Sequence, residues 1–303
     1  MIESIHKYAK IGLVHFMAYP TTIKGEGPIE ETIKKIILDD YFDAIEITWI
    51  KDDDTRANVK KMLDSSHLSI AYGGQPRLLT TGMNINHLDE SKRQEAISNL
   101  KAGIDEAYEI GAEGFGFLSG NYKEETKEAS FQALVDSTKE ICAYAKSKGH
   151  MKIAHEIFDY DVDKCALVGP APLAKRYAEA VREDYDNFGL MVDLSHIPLI
   201  HETIRESIVP NKDFITHAHM GNCLMNNNVD PAYGDLHPRF GYPGGENDVE
   251  ELVEYLKVLL EVGFLNPENR GFLSFEVRPV GDEDPDIVIA NAKRTLNLAW
   301  TLV

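Results

Sequence analysis

A chain of 303 residues with 31 basic and 50 acidic side chains carries a formal charge of −19, which speaks against duplex nucleic acid and an anionic membrane surface as partners, because both are bound through cationic side chains. Its 43% hydrophobic and 27% charged content is that of a soluble globular protein able to bury a sizeable core. The cysteines, Cys142, Cys165 and Cys223, lie far apart with no CxxC pair, so neither a disulfide framework nor a thiolate metal site is expected, and a reducing, cytoplasmic setting fits.

The first apolar run, IGLVHFMAY (11–19), has no basic segment before it, contains a histidine and lacks a small-residue end. It is expected to be a strand, not a signal peptide or a membrane span. PIEETIKKIILDD (28–40) follows with helical period and Pro28 near its start, where a missing N–H costs nothing. DAIEITWI (43–50) and LSIAYGG (68–74) read as the second and third strands. In DESKRQEAISNLKAGIDEAYEIGA (89–112), Ala96, Leu100, Ile104 and Ala107 share one helix face. GFGFLSG (114–120) is the fourth strand, SFQALVDSTKEICAYAKSKG (130–149) a helix ending at Gly149, and MKIAHEIFD (151–159) the fifth strand. FGLMVDLSH (188–196), FITHAHMGN (214–222) and GFLSFEVRP (271–279) complete eight strands. DVEELVEYLKVLLEVGF (248–264) and PDIVIANAKRTLNLAWTLV (285–303) supply the last helices.

Strands alternating with helices imply parallel βαβ units, and eight such units close into a (β/α)8 TIM barrel. No linker or repeat divides the chain, so one barrel domain is expected over 1–303. The longest irregular stretches, 73–88 and 222–247, are expected to be functional loops on the face where barrel strands end.

The last four strands carry Glu156, Asp193, His219 and Glu276 near their C-terminal ends. Neighbouring strand ends stand about 5 Å apart, so inward side chains from them can meet at one point. Three carboxylates brought together repel, and a divalent cation removes that repulsion. Oxygen donors with one nitrogen suit Mn²⁺, Mg²⁺, Co²⁺ or Zn²⁺. His217 shares a strand face with His219 and is the alternative ligand, whereas His155 points away from Glu156 and is expected to pack against a helix. Other strand ends offer His15, Glu46 and Trp49 to the same mouth, the first two as contacts for substrate hydroxyls.

The pieces IAHEIFD, VDLSH, HAHMGN, FGYPGGENDVEEL and LSFEV, in this order, resemble the xylose-isomerase-like TIM barrels, the sugar isomerase/epimerase group, and especially the ketose 3-epimerases and inosose-processing enzymes. The resemblance spans the whole chain. It implies that Glu156, Asp193, His219 and Glu276 bind one divalent metal, manganese foremost, and that Glu156 and Glu276 double as an acid/base pair. It further implies proton abstraction next to a metal-held carbonyl of a sugar or cyclitol, expected to be non-phosphorylated, with His196 touching substrate oxygens.

Where the ketose 3-epimerases carry an arginine after the metal histidine, this chain has Met225. The long loop offers Asp235, His237 and Arg239 as further contacts for substrate, and Arg239, or Arg278 beyond the last strand, is the candidate to supply the missing charge. Asp235 and His237 are similar to part of the endonuclease IV site, but the third and fourth strand ends lack its histidines. A lyase acting on 3-keto sugars, of the C-glycoside deglycosidase or inosose dehydratase type, is the second expectation. In it, Met225, Tyr233, Phe240 and Tyr242 would shelter a leaving group. Such deglycosidases pair with a small partner subunit, and a homo-oligomer is equally open. A barrel that only binds sugar is the remaining alternative.

Overall fold

In the computed structural model, which describes residues 3–303, eight parallel strands form one sheet. They are β1 (Lys10–Leu13), β2 (Ala44–Ile47), β3 (Ser69–Gly73), β4 (Gly114–Leu118), β5 (Lys152–Glu156), β6 (Phe188–Asp193), β7 (Ile215–Gly221) and β8 (Phe272–Glu276). Each pairs with its sequence neighbour from β2 to β8, and β1 pairs with β8. The remaining seam, β1 to β2, is sparse. It holds a parallel bridge between Val14 and Glu46 and a 2.8 Å hydrogen bond from Asp43 N–H to Ile11 O. The result is the expected (β/α)8 barrel.

The helices packed around it are α1 (Ile29–Ile37), α2 (Asp53–Ser66), α3 (Glu90–Ile110), α4 (Lys127–Lys148), α5 (Ala171–Arg182), α6 (Ile204–Ile208), α7 (Val249–Glu261) and α8 (Pro285–Leu302). Their ends follow from local chemistry. Asp52, Asp89 and Asp284 accept backbone N–H groups at the starts of α2, α3 and α8, and α3 stops at Gly111 with φ +90°. None of the helices is long and apolar enough to cross a membrane among the described residues.

Strand alternation divides the side chains into two populations. One row, including Ile45, Ile47, Phe115, Phe117, Leu273 and Phe275, is buried in the main core with Leu100 and Ile104 of α3 and Leu256 of α7. The other row faces the barrel axis and is small or polar. Ala44, Ala71 and Phe272 form a separate interior cluster. The interior is tight: a Cβ on Gly12 would stand 2.4 Å from Ser274 Oγ. That inward row ends in Glu46, Glu156, Asp193, His219 and Glu276, so the period that fills the barrel also aims functional groups at its mouth.

Two sequence expectations change. The run 11–19 is not one strand. β1 stops at Leu13, and residues His15–Ala18 form a one-turn helix. The barrel is only four to seven residues deep here, and beyond it Val14, Phe16 and Met17 make a small apolar cluster of their own. The stretch 73–88 contains a helix, Gln75–Leu79, with Pro76 in its first turn. The stretch 222–247 is free of helix and strand, apart from a bridge between Leu224 and Gly234.

Asp43 pins the sparse seam. Its carboxylate accepts from His6 Nδ1 (2.7 Å) and Ile11 N–H (3.2 Å) and pairs with Arg270 at 3.0 Å. Burial works against its charge, but these three donors outweigh burial and hold its carboxyl below the usual range. A depressed folded pKa means stability present above the unfolded value and lost as pH falls through the folded one. Asp43→Ala is therefore expected to lower stability by about 1 kcal/mol near neutral pH, with the difference from wild type shrinking under acid. Urea denaturation at several pH values measures this, and an undiminished difference in acid would contradict it.

Candidate active site

Glu156, Asp193, His219 and Glu276 converge as their strand positions require. One ligand atom from each lies within 4.8 Å of all the others, and all four residues are buried. From His219 Nδ1, Glu276 Oε2 is 2.6 Å away, Glu156 Oε1 3.3 Å and Asp193 Oδ2 3.8 Å. These four atoms are buried and have no hydrogen-bond partner. Orphaned buried polar atoms cost about 1–3 kcal/mol each, and more when charged. Four of them facing one point are a donor set that a cation would satisfy.

The other atoms of the same side chains are committed. Glu156 Oε2 accepts from Gln75 Nε2 at 2.8 Å, and Asp193 Oδ1 from Ser195 N–H at 2.7 Å. His219 Nε2 donates to Glu46, at 3.1 and 3.2 Å from its two oxygens. With its proton on Nε2, the imidazole turns its Nδ1 lone pair inward, the tautomer a metal ligand needs. His217 Nε2 donates to Glu46 Oε1 at 2.7 Å, so His217 braces the brace, and of the two imidazoles only His219 turns a nitrogen toward the three carboxylates. His217, His219 and Glu46 also lie close enough together to hold an ion, but their mutual hydrogen bonds already satisfy that group.

A second cluster backs onto the first. His196 Nδ1 donates to Ile157 O at 2.8 Å, and its Nε2 stands 2.9 Å from Asp235 Oδ1. His237 Nε2 is 2.8 Å from the same oxygen, and its Nδ1 meets Ser195 Oγ at 3.1 Å. Asp193, His196 and His237 thus form a third group of metal-ligand type. Lys164 Nζ, 2.9 Å from Asp235 Oδ2, already places a positive charge beside it. That charge disfavours a divalent ion in this group relative to the set with three carboxylates.

The charges answer one another. Burial works against ionised His219, but Glu46 and Glu276 outweigh it and raise the imidazole well above its ordinary value. Burial likewise opposes the imidazolium of His237, yet Glu276 and Asp235 lift it to about 9. Burial also disfavours the Asp193 carboxylate, and here His196, His237 and His219 win, so its carboxyl stays below the usual range. For Glu276 burial prevails, helped by the nearby Glu156 charge, and its carboxyl is pushed up to about 7. Without a metal, protons on imidazoles supply the positive charge that the carboxylates demand.

A cavity of about 110 Å³ opens in front of this centre. Glu46, Glu156, His219, His237, Glu276 and Arg278 border it, with Gln75 and Lys164. Phe16, Met17, Ile23, Leu79, Phe158 and Leu236 form its apolar wall. Asp193 and His196 lie just behind this surface. His196 reaches Asp235 and Asp193 (3.8 Å), which makes it a support for the centre.

Two sequence candidates sit elsewhere. His15 is 2% exposed and its Nε2 bonds Thr32 Oγ1 of α1 at 2.7 Å, because the chain turns into a helix just after β1. Burial pushes its imidazole down to about 3, so it stays neutral in the core. Arg239 pairs with Glu283 at 2.9 Å and donates to Phe240 O and Gly241 O, fastening the long loop to the segment after β8. Glu46 borders the cavity, but its oxygens are spent on His217 and His219, so it orients a ligand and is not free for substrate hydroxyls. Trp49 donates to Ile23 O and does not line the cavity, nor do Met225, Tyr233, Phe240 or Tyr242. His155, fully buried, packs edge-on against Phe117 and Tyr177 of α5, as strand alternation requires.

Gln75 and Lys164 escape a sequence reading. Gln75 enters through the helix Gln75–Leu79, which Arg77 anchors by pairing with Glu106 of α3 and donating to Tyr72 Oη at 2.9 Å. The Gly-Gly-Gln-Pro turn ahead of it was the available signal. Lys164 follows Asp159, whose carboxylate accepts four backbone N–H groups from Val162 to Cys165 and so folds the β5–α5 loop over the centre.

No curated protein matches the sequence significantly. Among solved structures, the fold is similar to D-psicose 3-epimerase from Clostridium cellulolyticum H10, crystallised with D-tagatose (16% identity, TM-score 0.70, covering 96% of this chain and 98% of that one). It is also similar to an L-ribulose 3-epimerase (16%, 0.73, 97% and 95%). A third likeness is to the IOLI protein with a bound zinc atom (19%, 0.72, 96% and 98%). The pattern described as xylose isomerase-like TIM barrel matches residues 39–296, nearly the whole barrel with all four converging residues, and the chain belongs to that family.

Proposed function

We propose that this protein is a divalent-metal-dependent isomerase or epimerase of a sugar or cyclitol. The observation that carries the reading is the set of four orphaned inward atoms, two of them on glutamates that border the cavity. The structural relatives whose names describe 3-epimerases of free ketoses support the substrate class, and a non-phosphorylated substrate agrees with the acidic walls. Glu156, Asp193, His219 and Glu276 would hold the metal, with manganese first among Mn²⁺, Mg²⁺, Co²⁺ and Zn²⁺ for this donor set. Bound there, the metal would polarise a substrate carbonyl as a Lewis acid.

The chain's own groups move the proton. Glu156 and Glu276 both border the cavity from separate strands, and the reading requires that the reacting carbon lie between them with a carboxyl on each face. One oxygen takes the proton beside the carbonyl, and the C–H electron pair becomes the C=C bond of an enediolate. The other carboxyl returns a proton from the opposite side, which inverts the carbon. Gln75 Nε2 donates to Glu156 Oε2 and fixes the orientation of that carboxylate. The apolar wall keeps water from the carbanion.

That wall also favours a second reading. Elimination from a 3-keto sugar begins with the same proton removal, and Phe16, Leu79, Phe158 and Leu236 offer an apolar seat for a leaving group. Product masses separate the two, because only elimination loses water or an aglycone. A barrel that merely binds sugar needs no pair of opposed carboxyl groups.

Glu156→Gln and Glu276→Gln should each lower turnover at least about 100-fold. Steady-state assays with proton exchange in D₂O would test this, and near-normal turnover in either variant would refute the two-carboxyl mechanism. Glu46→Gln should weaken metal binding about 10–100-fold by freeing His219 to turn. Unchanged affinity in a metal titration would remove Glu46 from that role. Because His219 must shed a proton that Glu46 and Glu276 hold tightly, metal affinity should rise with pH and loading should release protons. Calorimetry in buffers of different ionisation enthalpy would detect the release, and a pH-independent affinity would contradict it.

A further inference from the structure

Arg278 stands two residues beyond Glu276. Period-two alternation puts both on one side while Val277, fully buried, points into the core. Both border the cavity, and Arg278 lies one strand step, about 7 Å of backbone, nearer the mouth. Its own backbone is fixed, since its N–H donates to His237 O at 2.7 Å. Its guanidinium, however, has no hydrogen bond, ion pair or ring partner among the described residues.

This is unusual for its setting. The chain has 50 acidic side chains against 31 basic ones, so a cation can readily find a carboxylate. Lys164, the other cation on the cavity wall, has found two: Asp163 at 2.8 Å and Asp235 at 2.9 Å. Arg239, the other arginine considered for this site, is held by Glu283. The other carboxylates that border the cavity have partners of their own: Glu46 with His217 and His219, Asp235 with Lys164, Glu156 with Gln75, and Glu276 with His219. Arg278 is half-buried beside apolar wall, where an unmatched guanidinium is desolvated without return.

We infer that Arg278 is an anion subsite, and that the substrate is a keto sugar bearing a carboxylate, its carbonyl at the metal centre and its carboxylate on Arg278. A guanidinium presents parallel donors that match a carboxylate in bidentate fashion. A single free cation balances a singly charged carboxylate. A phosphate dianion would need more donors than this wall supplies and would face the repulsion of the acidic cluster. The assignment rests on the sugar isomerase reading and narrows it, since the ketoses named for the structural relatives are neutral.

The test uses a matched pair of probes, D-fructose and D-fructuronate, which differ by a carboxylate at the end remote from the ketone. Their binding to the Mn²⁺-loaded protein is measured by calorimetry for wild type and Arg278→Leu, with metal content determined for both. The expected result is at least tenfold tighter binding of the uronate by wild type, and collapse of that preference to about one in Arg278→Leu. Equal or tighter binding of fructose would overturn the carboxylate assignment. If fructose also exchanged protons with solvent, the isomerase reading would survive that failure. A uronate preference that persists in Arg278→Leu would remove Arg278 from the subsite. Absence of binding and exchange with both probes would count against the sugar reading and this inference together.

Discussion

Like charges held within a few ångströms in a dry interior do not stay together unless something positive lies among them, and this constraint organises the molecule. Glu156, Asp193 and Glu276 are brought together by parallel strands whose registers leave no room to separate them. The protein meets the constraint partly with His219, which touches all three. One imidazolium cannot balance three carboxylates. The inward atoms therefore remain without hydrogen bonds while every outward atom of Asp193, His219 and Glu156 has a partner. Side chains placed by chance at strand ends would not divide their atoms so cleanly.

Around this centre, supports come from three directions. From β2, Glu46 fixes the His219 ring and is itself fixed by His217. From the β3 side, the Arg77–Glu106 pair seats the helix that carries Gln75 to Glu156. From the segments after β5, β6 and β7, Lys164, His196, Asp235 and His237 form a charge-balanced block behind Asp193. The second and third of these supports tie a loop or short helix to the barrel as well as a side chain of the centre to its place, so the stability of the mouth and the geometry of the site share the same bonds.

Much of this was legible in the sequence because strand period and ligand position are the same signal. Eight short apolar runs gave the barrel, and the polar residue ending each of the last four gave the centre. The parts that were not legible depend on what happens after a strand ends. His15 looked like a strand-end contact for substrate hydroxyls, but residues 14–19 hide a turn that sends its ring to Thr32. Helix α2 was missed because only Val59 and Leu63 are buried along its length, too few to leave a period. Arg239 and Arg278 are equivalent as letters, and only the fold shows one paired and the other open to the cavity. Gln75 and Lys164 act through contacts with residues distant in the chain, which no local spacing encodes.

The central claim is that one divalent cation sits among Glu156, Asp193, His219 and Glu276. Crystals grown with Mn²⁺ and measured on both sides of the manganese absorption edge test it directly. The account predicts a single strong anomalous peak bonded to His219 Nδ1 and to a carboxylate oxygen of each of the other three. A peak held instead by His196 and His237, or no ordered peak at saturating metal, would contradict it.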